Sequence, residues 1–249
     1  MAPLPDDLTA ALLVAARAPH LLVTSDFDGT LAPIVNHPAD ARPLPAASAA
    51  LQTLATLPDT TAALISGRAL RDLAALSGMP ATVHLVGSHG AEFATGFAYD
   101  IDHALLQSIV HELSEIAGRY AGVTVEPKLA SVALHVRNAA PADGEAALAA
   151  AKTAAQAWDA EATAGKAVLE FAVITTDKGE AVDILREQAG ASAVVFFGDD
   201  VTDEKAFRRL RDGDVGVKVG DGDSAARYRV DTPESVAAAL QFIVEHRRS

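Results

Sequence analysis

Short apolar runs alternate with amphipathic segments over most of the chain. The apolar runs predict buried strands, and they are HLLVTSDFD (20–28), TAALISGR (61–68), AVVFFGDD (193–200) and VGVKVG (215–220). The segments between them have helical patterns, namely AASAALQTLATL (46–57), ALRDLAALSG (69–78), KGEAVDILREQAG (178–190) and TDEKAFRRL (202–210). This alternation predicts an α/β fold with a mostly parallel, doubly wound sheet, in which sites form at the carboxyl ends of the strands.

Residues 100–174 follow a different pattern. A helix at 102–120 precedes a predicted β-hairpin, GVTVEPK (122–128) with SVALHVRN (131–138), and a second helix at 141–161 precedes the strand KAVLEFAVI (166–174). We therefore expect an α/β core, residues 1–99 and 175–249, that is interrupted by an inserted α+β cap domain, residues 100–174. A module joined to a core by two linkers could act as a lid.

Composition narrows the possible functions. The chain has 249 residues, half of them hydrophobic, and no cysteine, which excludes disulfides, thiolate metal sites and cysteine nucleophiles. A formal net charge of -13 argues against broad binding to nucleic acid or to an anionic membrane. No apolar run reaches the roughly 18 residues that a membrane span needs. We expect a cytoplasmic enzyme with a small-molecule substrate.

Two carboxylates end the first buried strand. Asp26 and Asp28, separated by one residue and followed by Gly29 and Thr30, could act as a nucleophile for a phosphoryl group and as a general acid–base. A D-x-D pair alone is as well explained by a turn or a helix cap. The glycine and threonine at the strand exit favour the catalytic interpretation.

Two further stretches offer groups for an anion. Ser66-Gly67-Arg68 follows the second apolar run, and Lys178 begins a predicted helix. Taken alone, Ser66 is better interpreted as a helix N-cap with a surface arginine beside it. A lysine at a helix start is unfavourable toward the helix dipole, so an anionic partner explains Lys178 more economically.

Four carboxylates follow the strand AVVFFG within six residues. Asp199, Asp200, Asp203 and Glu204 would repel one another unless a cation lies among them, and oxygen ligands of this kind suit Mg²⁺. An acidic first helical turn is the alternative for Asp203 and Glu204. It explains Asp199 and Asp200 poorly.

The order and spacing of these motifs, D-F-D-G-T, S-G-R, a lysine and G-D-D-V-T-D-E, resemble the haloacid dehalogenase-like phosphatases. The resemblance implies a Rossmann-like core in which Asp26 attacks phosphorus, Asp28 is acid and then base, and Ser66 and Lys178 hold the transferring group. It also implies Mg²⁺ bound by Asp26, the backbone carbonyl of Asp28 and Asp199, with Asp200 and Asp203 in or near the coordination sphere.

The stretches DFDGTLAPI, SGR, GSHGAE, VEPK, ALHVR and GDDVTDE together resemble the trehalose-6-phosphate phosphatases over about residues 20 to 245. The resemblance implies sugar binding by Glu126, Lys128 and Glu170 in the cap, and Gly67, Arg68 and His89 are further candidates for substrate binding. From the residues alone, an ordinary surface ion pair explains Glu126 and Lys128 at least as well. His89 and Glu92 could both reach the sugar, but a core or hinge role is as well founded for either residue.

The sequence departs from the family pattern at two places. Glu170 is followed by Phe171-Ala172-Val173, where the family has E-x-R-P, and H-Y-R becomes His135-Val136-Arg137. The resemblance predicts hydrolysis of trehalose 6-phosphate and functional coupling to a trehalose-phosphate synthase. The alternatives are a phosphatase for another sugar phosphate, such as sucrose 6-phosphate or a glycosylglycerate phosphate, a phosphomutase, and a catalytically silent sugar-phosphate-binding domain.

Overall fold

The computed structural model describes residues 3–165, 167–174 and 176–247. They fall into two compact units, Met1–Ala98 with Thr176–Ser249 and Tyr99–Thr175. No helix in these ranges is long and apolar enough to cross a bilayer.

The helices are α1 (Asp6–Ala16), α2 (Pro45–Leu54), α3 (Leu70–Ser77), α4 (His103–Ala117), α5 (Pro141–Ala154), α6 (Lys178–Ala189), α7 (Asp203–Arg209) and α8 (Pro233–Arg247). The strands are β1 (Leu21–Ser25), β2 (Thr60–Ile65), β3 (His84–Gly87), β4 (Glu92–Phe93), β5 (Gly96–Phe97), β6 (Thr124–Pro127), β7 (Ser131–His135), β8 (Glu161–Gly165), β9 (Val168–Ala172), β10 (Ala193–Gly198), β11 (Val215–Val219) and β12 (Tyr228–Val230).

The larger unit is built on one sheet with the strand order β12-β11-β10-β1-β2-β3-β4-β5. Pairing is parallel from β12 to β3 and antiparallel from β3 to β5. Successive residues of β1 enter different apolar clusters, Leu21 and Val23 in one and Leu22 in the other, because side chains alternate between the two faces of a strand. Both faces of this sheet are therefore covered, as the run of apolar residues in β1 predicts.

The carboxyl ends of the central parallel strands place the polar motifs at one edge. Asp26 directly follows β1, Ser66 follows β2 and Asp199 follows β10, and β1 lies between β2 and β10. The predicted α/β fold with a mostly parallel sheet is thus confirmed. This edge is where open α/β sheets bind ligands.

The smaller unit has an antiparallel sheet of order β6-β7-β9-β8, covered by α4 and α5. Its apolar cluster includes Ile109, Leu113, Val132 and Phe171. The predicted hairpin is β6 with β7, and the predicted strand at 166–174 is β9, although Lys166, its expected first residue, lies outside the described residues.

The helix predicted over residues 141–161 is shorter than expected. α5 ends at Ala154, a short 3₁₀ turn follows, and Glu161 already belongs to β8, which the sequence pattern missed. The chain turns because Trp158 adopts an extended backbone conformation and packs edge-on against Phe171, with ring centroids 5.0 Å apart. Burial of one aromatic ring overrides the helical propensity of the surrounding alanines.

Candidate active site

Asp26 and Lys178 form the centre of the site. The Lys178 ammonium donates to Asp26 Oδ1 at 2.8 Å and to Asp203 Oδ1 at 2.8 Å. The side chains of Lys178, Asp26 and Asp203 are 2%, 6% and 0% exposed, respectively. Lys178 is the first residue of α6, and Asp177 before it caps the helix by accepting from the N–H of Glu180. The sequence predicts an anionic partner for Lys178, and the structure provides two.

The buried carboxylates outnumber the ammonium that balances them. Burial raises the pKa of Asp26 to about 7, although the neighbouring Lys178 acts in the opposite direction. Burial and the charge of Asp26 raise the pKa of Asp203 to about 7 as well. Burial and then the charge of Asp203 also raise the pKa of Asp199. A second cation would relieve this excess of negative charge.

Oxygen atoms of Asp26, Asp199 and Asp203 lie within 4.8 Å of one another and could hold a metal ion. The donor set consists of carboxylates alone, which fits a hard divalent cation. Both oxygens of Asp203 already accept hydrogen bonds, Oδ1 from Lys178 and Oδ2 from the backbone N–H groups of Asp199 and Asp200. Asp203 therefore also fixes the loop that carries Asp199.

Asp200 has a different environment. Its Oδ1 accepts from the backbone N–H and the hydroxyl of Thr202, at 2.8 and 2.6 Å, and from the N–H of Asp203. These bonds cap the start of α7. Although burial acts against it, the Lys178 charge and the bonds from Thr202 lower the pKa of Asp200. Asp200 is not part of the group of three carboxylates just described.

Gly29 explains the form of the D-F-D-G-T motif. Its φ is +82°, and a Cβ atom there would lie 2.1 Å from Asp199 Oδ2. Only glycine can therefore occupy this turn while Asp199 keeps its position. The hydroxyl of Thr30 donates to Asp199 Oδ1 at 3.3 Å, so the motif also holds the acidic loop across the sheet.

Asp28 and Arg68 are paired, a contact that the sequence did not reveal. Arg68 Nε donates to Asp28 Oδ2 and Nη2 donates to Oδ1, each at 2.7 Å. The hydrogen bond from Arg68 to Asp28 raises the pKa of the guanidinium. Ser66 is buried, and its Oγ accepts from the backbone N–H of Arg68 at 3.2 Å. This is a turn contact and not the helix N-cap that the residue alone predicts, because α3 begins only at Leu70.

The GSHGAE loop packs against the S-G-R turn. A Cβ atom on Gly67 would lie 2.4 Å from His89 Cε1, so the His89 ring covers this glycine. Glu92 Oε2 accepts from the backbone N–H of Leu70 at 2.8 Å and so caps α3. Gly87 has an ordinary φ of -100°, and the close approach of the Leu70 backbone in α3 leaves no room for a side chain there.

The candidate sugar-binding residues lie together within the smaller unit. Glu126 pairs with Ala133 of β7, and Ala133 pairs with Glu170 of β9, so both glutamates point to one face of the sheet. Lys128 Nζ donates to Glu170 Oε2 at 2.8 Å, and the Ser131 hydroxyl donates to Oε1 at 2.6 Å. These side chains form a partly exposed polar cluster.

His135 contacts Glu126 in the same sheet. Its Nε2 lies 2.7 Å from Glu126 Oε2 on the neighbouring strand. The imidazole therefore orients Glu126 within the polar cluster.

Lys218 is a buried residue of the site that the sequence reasoning missed. Its ammonium donates to the backbone carbonyls of Asp199 and Val219, and the residue is 5% exposed. A lone lysine in the otherwise apolar strand VGVKVG was the available signal, because a buried charge needs partners. Lys218 fixes the backbone of the acidic loop from the neighbouring strand.

A comparison with protein families identifies a matching family. The model of the family Trehalose-phosphatase matches residues 24–234. The chain belongs to this family. A protein of Mycobacterium avium named trehalose-phosphate phosphatase is 38% identical over 248 residues, which cover 91% of this chain and 62% of the relative. The chain thus spans less than two thirds of that relative's length.

Solved structures show the same fold. The Aspergillus fumigatus trehalose-6-phosphate phosphatase is 27% identical with a TM-score of 0.73, covering 98% of this chain and 99% of that one. A haloacid dehalogenase-like hydrolase from Bacteroides thetaiotaomicron, 17% identical, has a TM-score of 0.67 over 89% of this chain and 98% of its own. The latter similarity concerns the fold alone, and it agrees with the predicted α/β core.

Proposed function

We propose that the protein is a magnesium-dependent phosphomonoesterase that hydrolyses trehalose 6-phosphate to trehalose and phosphate. One observation carries the proposal: in a chain of the trehalose-phosphatase family, the buried Asp26 carboxylate at the end of β1 lies 2.8 Å from the Lys178 ammonium, beside further carboxylates. A carboxylate in this position can accept a phosphoryl group, and an adjacent ammonium can stabilise the charge of that group.

Two displacements at phosphorus complete the reaction. In the first, an Asp26 oxygen forms a bond to phosphorus, the bond from phosphorus to the sugar oxygen breaks, and Asp28 gives its proton to that oxygen. In the second, water attacks phosphorus as Asp28 takes its proton, and the bond to Asp26 breaks. Ser66 and Lys178 hold the phosphoryl oxygens throughout.

Asp26, Asp199 and Asp203, with the backbone carbonyl of Asp28, would hold the magnesium ion. When bound, such an ion neutralises charge on the phosphoryl group. Asp200 supports the loop through its cap of α7. The excess of carboxylates over ammonium groups supports this part of the proposal, because Lys178 alone pairs with Asp26 and Asp203 while Asp199 lies in the same cluster.

The smaller unit acts as the cap that selects the sugar. Glu126, Lys128 and Glu170 provide carboxylate and ammonium groups for several hydroxyls of a disaccharide, and a substrate without those hydroxyls would leave them unpaired. The sequence Phe171-Ala172-Val173 after Glu170 favours a second candidate, a phosphatase for another sugar phosphate. The retained Asp26, Asp28, Lys178 and Asp199 count against a silent binding domain.

Phosphate release tests the proposal. We would compare kcat/KM on trehalose 6-phosphate, sucrose 6-phosphate, glucose 6-phosphate and an aryl phosphate, with Mg²⁺ and with EDTA. A preference for trehalose 6-phosphate of about a hundredfold, or about 2.7 kcal/mol of discrimination, supports the substrate assignment. Equal rates on all esters would refute sugar selection, and activity retained in Asp26→Asn would refute the mechanism.

A further inference from the structure

The Arg68 guanidinium makes three hydrogen bonds within the protein. Two of its N–H groups make a bidentate contact with Asp28, and Nη2 also donates to the backbone carbonyl of Pro38 at 2.8 Å. The Arg68 side chain is 16% exposed, against 35% for Asp28. The arginine thus lies deeper than the carboxylate, and a bidentate pair fixes both the position and the plane of a carboxylate.

Arg68 is itself held on a rigid support. Its backbone N–H donates to Ser66 Oγ, and its carbonyl accepts from the N–H of Ser88 at 2.7 Å. Its guanidinium carbon lies 5.7 Å from the ring centroid of Phe27, which is completely buried between the two aspartates of the motif. The arginine is therefore anchored by β2, by the following turn and by the strand exit that carries Asp28.

We propose that Arg68 is a positioning residue for Asp28 rather than a ligand of the substrate. This inference rests on the proposed function, in which Asp28 moves a proton to and from the reacting oxygens. Each carboxylate oxygen has two lone pairs, so the bidentate contact still leaves one on each oxygen for the proton that Asp28 transfers. Arg68 selects the orientation in which that free side of Asp28 faces the reacting group.

The chemistry of the leaving group separates this role from substrate binding. A sugar oxygen leaves as a strongly basic alkoxide unless it is protonated, whereas a nitrophenolate leaves without help. Loss of a positioned Asp28 should therefore slow sugar phosphates far more than aryl phosphates. The ratio kcat/KM is the appropriate quantity, because it covers only the steps up to the breaking of the ester bond.

The test is a double-mutant cycle. We would measure kcat/KM for a sugar phosphate and for p-nitrophenyl phosphate in Arg68→Ala and Arg68→Lys, each made in the wild-type and Asp28→Asn backgrounds. In the wild-type background, Arg68→Ala should lower the sugar-phosphate value by about 10²-fold and the aryl value by less than about tenfold. In the Asp28→Asn background it should cost less than about threefold, because the two residues act as one unit. Arg68→Lys keeps the charge but loses the bidentate contact with Asp28. Its sugar-phosphate kcat/KM should therefore lie between those of the wild type and Arg68→Ala.

Arg71→Ala is the matched control, since Arg71 is an exposed arginine on the neighbouring helix α3. If Arg68→Ala lowered kcat/KM equally for both substrates and in both backgrounds, this inference would be overturned, but the proposed function would stand. A raised KM with unchanged kcat on the sugar phosphate would overturn it too, and would return Arg68 to substrate binding. If Asp28→Asn left sugar-phosphate kcat/KM unchanged, the proposed acid–base role would fail and the inference with it.

Discussion

Lys178 and its two carboxylates show how single residues define this site. One buried ammonium contacts both Asp26 and Asp203, each at 2.8 Å, while Asp199 lies in the same group of oxygens. Burial raises the pKa of Asp26 and of Asp203 to about 7. The folded protein without a bound cation therefore binds protons that the unfolded chain releases at much lower pH.

This proton binding predicts the pH dependence of stability. A carboxyl group whose pKa is raised on folding favours the folded state less as pH increases, so in EDTA the free energy of unfolding should decrease between about pH 4 and pH 7. The contribution of Asp26 is on the order of 1–3 kcal/mol, and Asp26→Asn should reduce the decrease. Urea unfolding at pH 5 and at pH 8 measures this decrease in the free energy of unfolding. Identical pH dependence in wild type and variant would contradict the account, and Mg²⁺ at pH 8 should restore stability to the wild type only.

The contact of Lys218 with the loop that carries Asp199 predicts that this lysine affects the affinity for a cation. Because its ammonium donates to the Asp199 carbonyl, Lys218→Met should leave the fold intact but lower Mg²⁺ affinity by about 10–100-fold. Titration calorimetry with Mg²⁺ measures this without substrate. Lys205→Met, on an exposed position of α7, is the control. Unchanged affinity in Lys218→Met would show that the loop keeps its shape without the lysine.

At the scale of elements, the ends of the central strands were the most predictable feature, and the very short or fully exposed strands were the least predictable. The apolar runs ending at Asp26, Ser66 and Asp199 predict β1, β2 and β10, because strands buried on both faces must be continuously apolar. β4 and β5 are only two residues long, and β8 is fully exposed, so none of them carries a clear apolar signal. Their pairing is determined by neighbouring strands rather than by their own composition.

Asp214 links several elements of the larger unit, so its substitution should greatly reduce the stability of that unit. Its carboxylate accepts from Arg186 of α6, from the N–H of Val194 in β10 and from the N–H of Arg211. Asp214→Ala leaves the Arg186 charge buried and unpaired, which should cost about 3–5 kcal/mol. Chemical denaturation measures the cost, and Asp212→Ala at an exposed neighbouring position should cost less than about 0.5 kcal/mol. Equal effects of the two substitutions would contradict this interpretation.

At the scale of the whole molecule, the two units have separate apolar cores. The larger unit has one cluster on each face of its sheet, and the smaller unit has its own around Phe171. The change in pattern at about residue 100 was visible in the sequence. The contacts within each site were harder to predict, since Arg68–Asp28 and Glu126–His135 join residues whose partners depend on strand order and register.

Separate cores predict local rather than global effects of core substitutions. Phe171→Ala should destabilise the smaller unit by about 3–5 kcal/mol, because it removes a fully buried ring. Hydrogen exchange should accelerate at the amides of β7 and β9 and stay unchanged in β1 and β10. Phe197→Ala, in the core of the larger unit, is the converse control. Equal acceleration in both sheets after Phe171→Ala would mean that the units unfold together.

The central claim is that Asp26 carries the phosphoryl group. The most direct measurement is to quench the enzyme during turnover of the sugar phosphate, reduce it with borohydride and map its peptides, since an acyl phosphate of aspartate is reduced to homoserine. The account predicts homoserine at position 26, dependent on substrate and absent when substrate is omitted. Phosphate release with an unmodified Asp26, or with modification at another carboxylate, would contradict it.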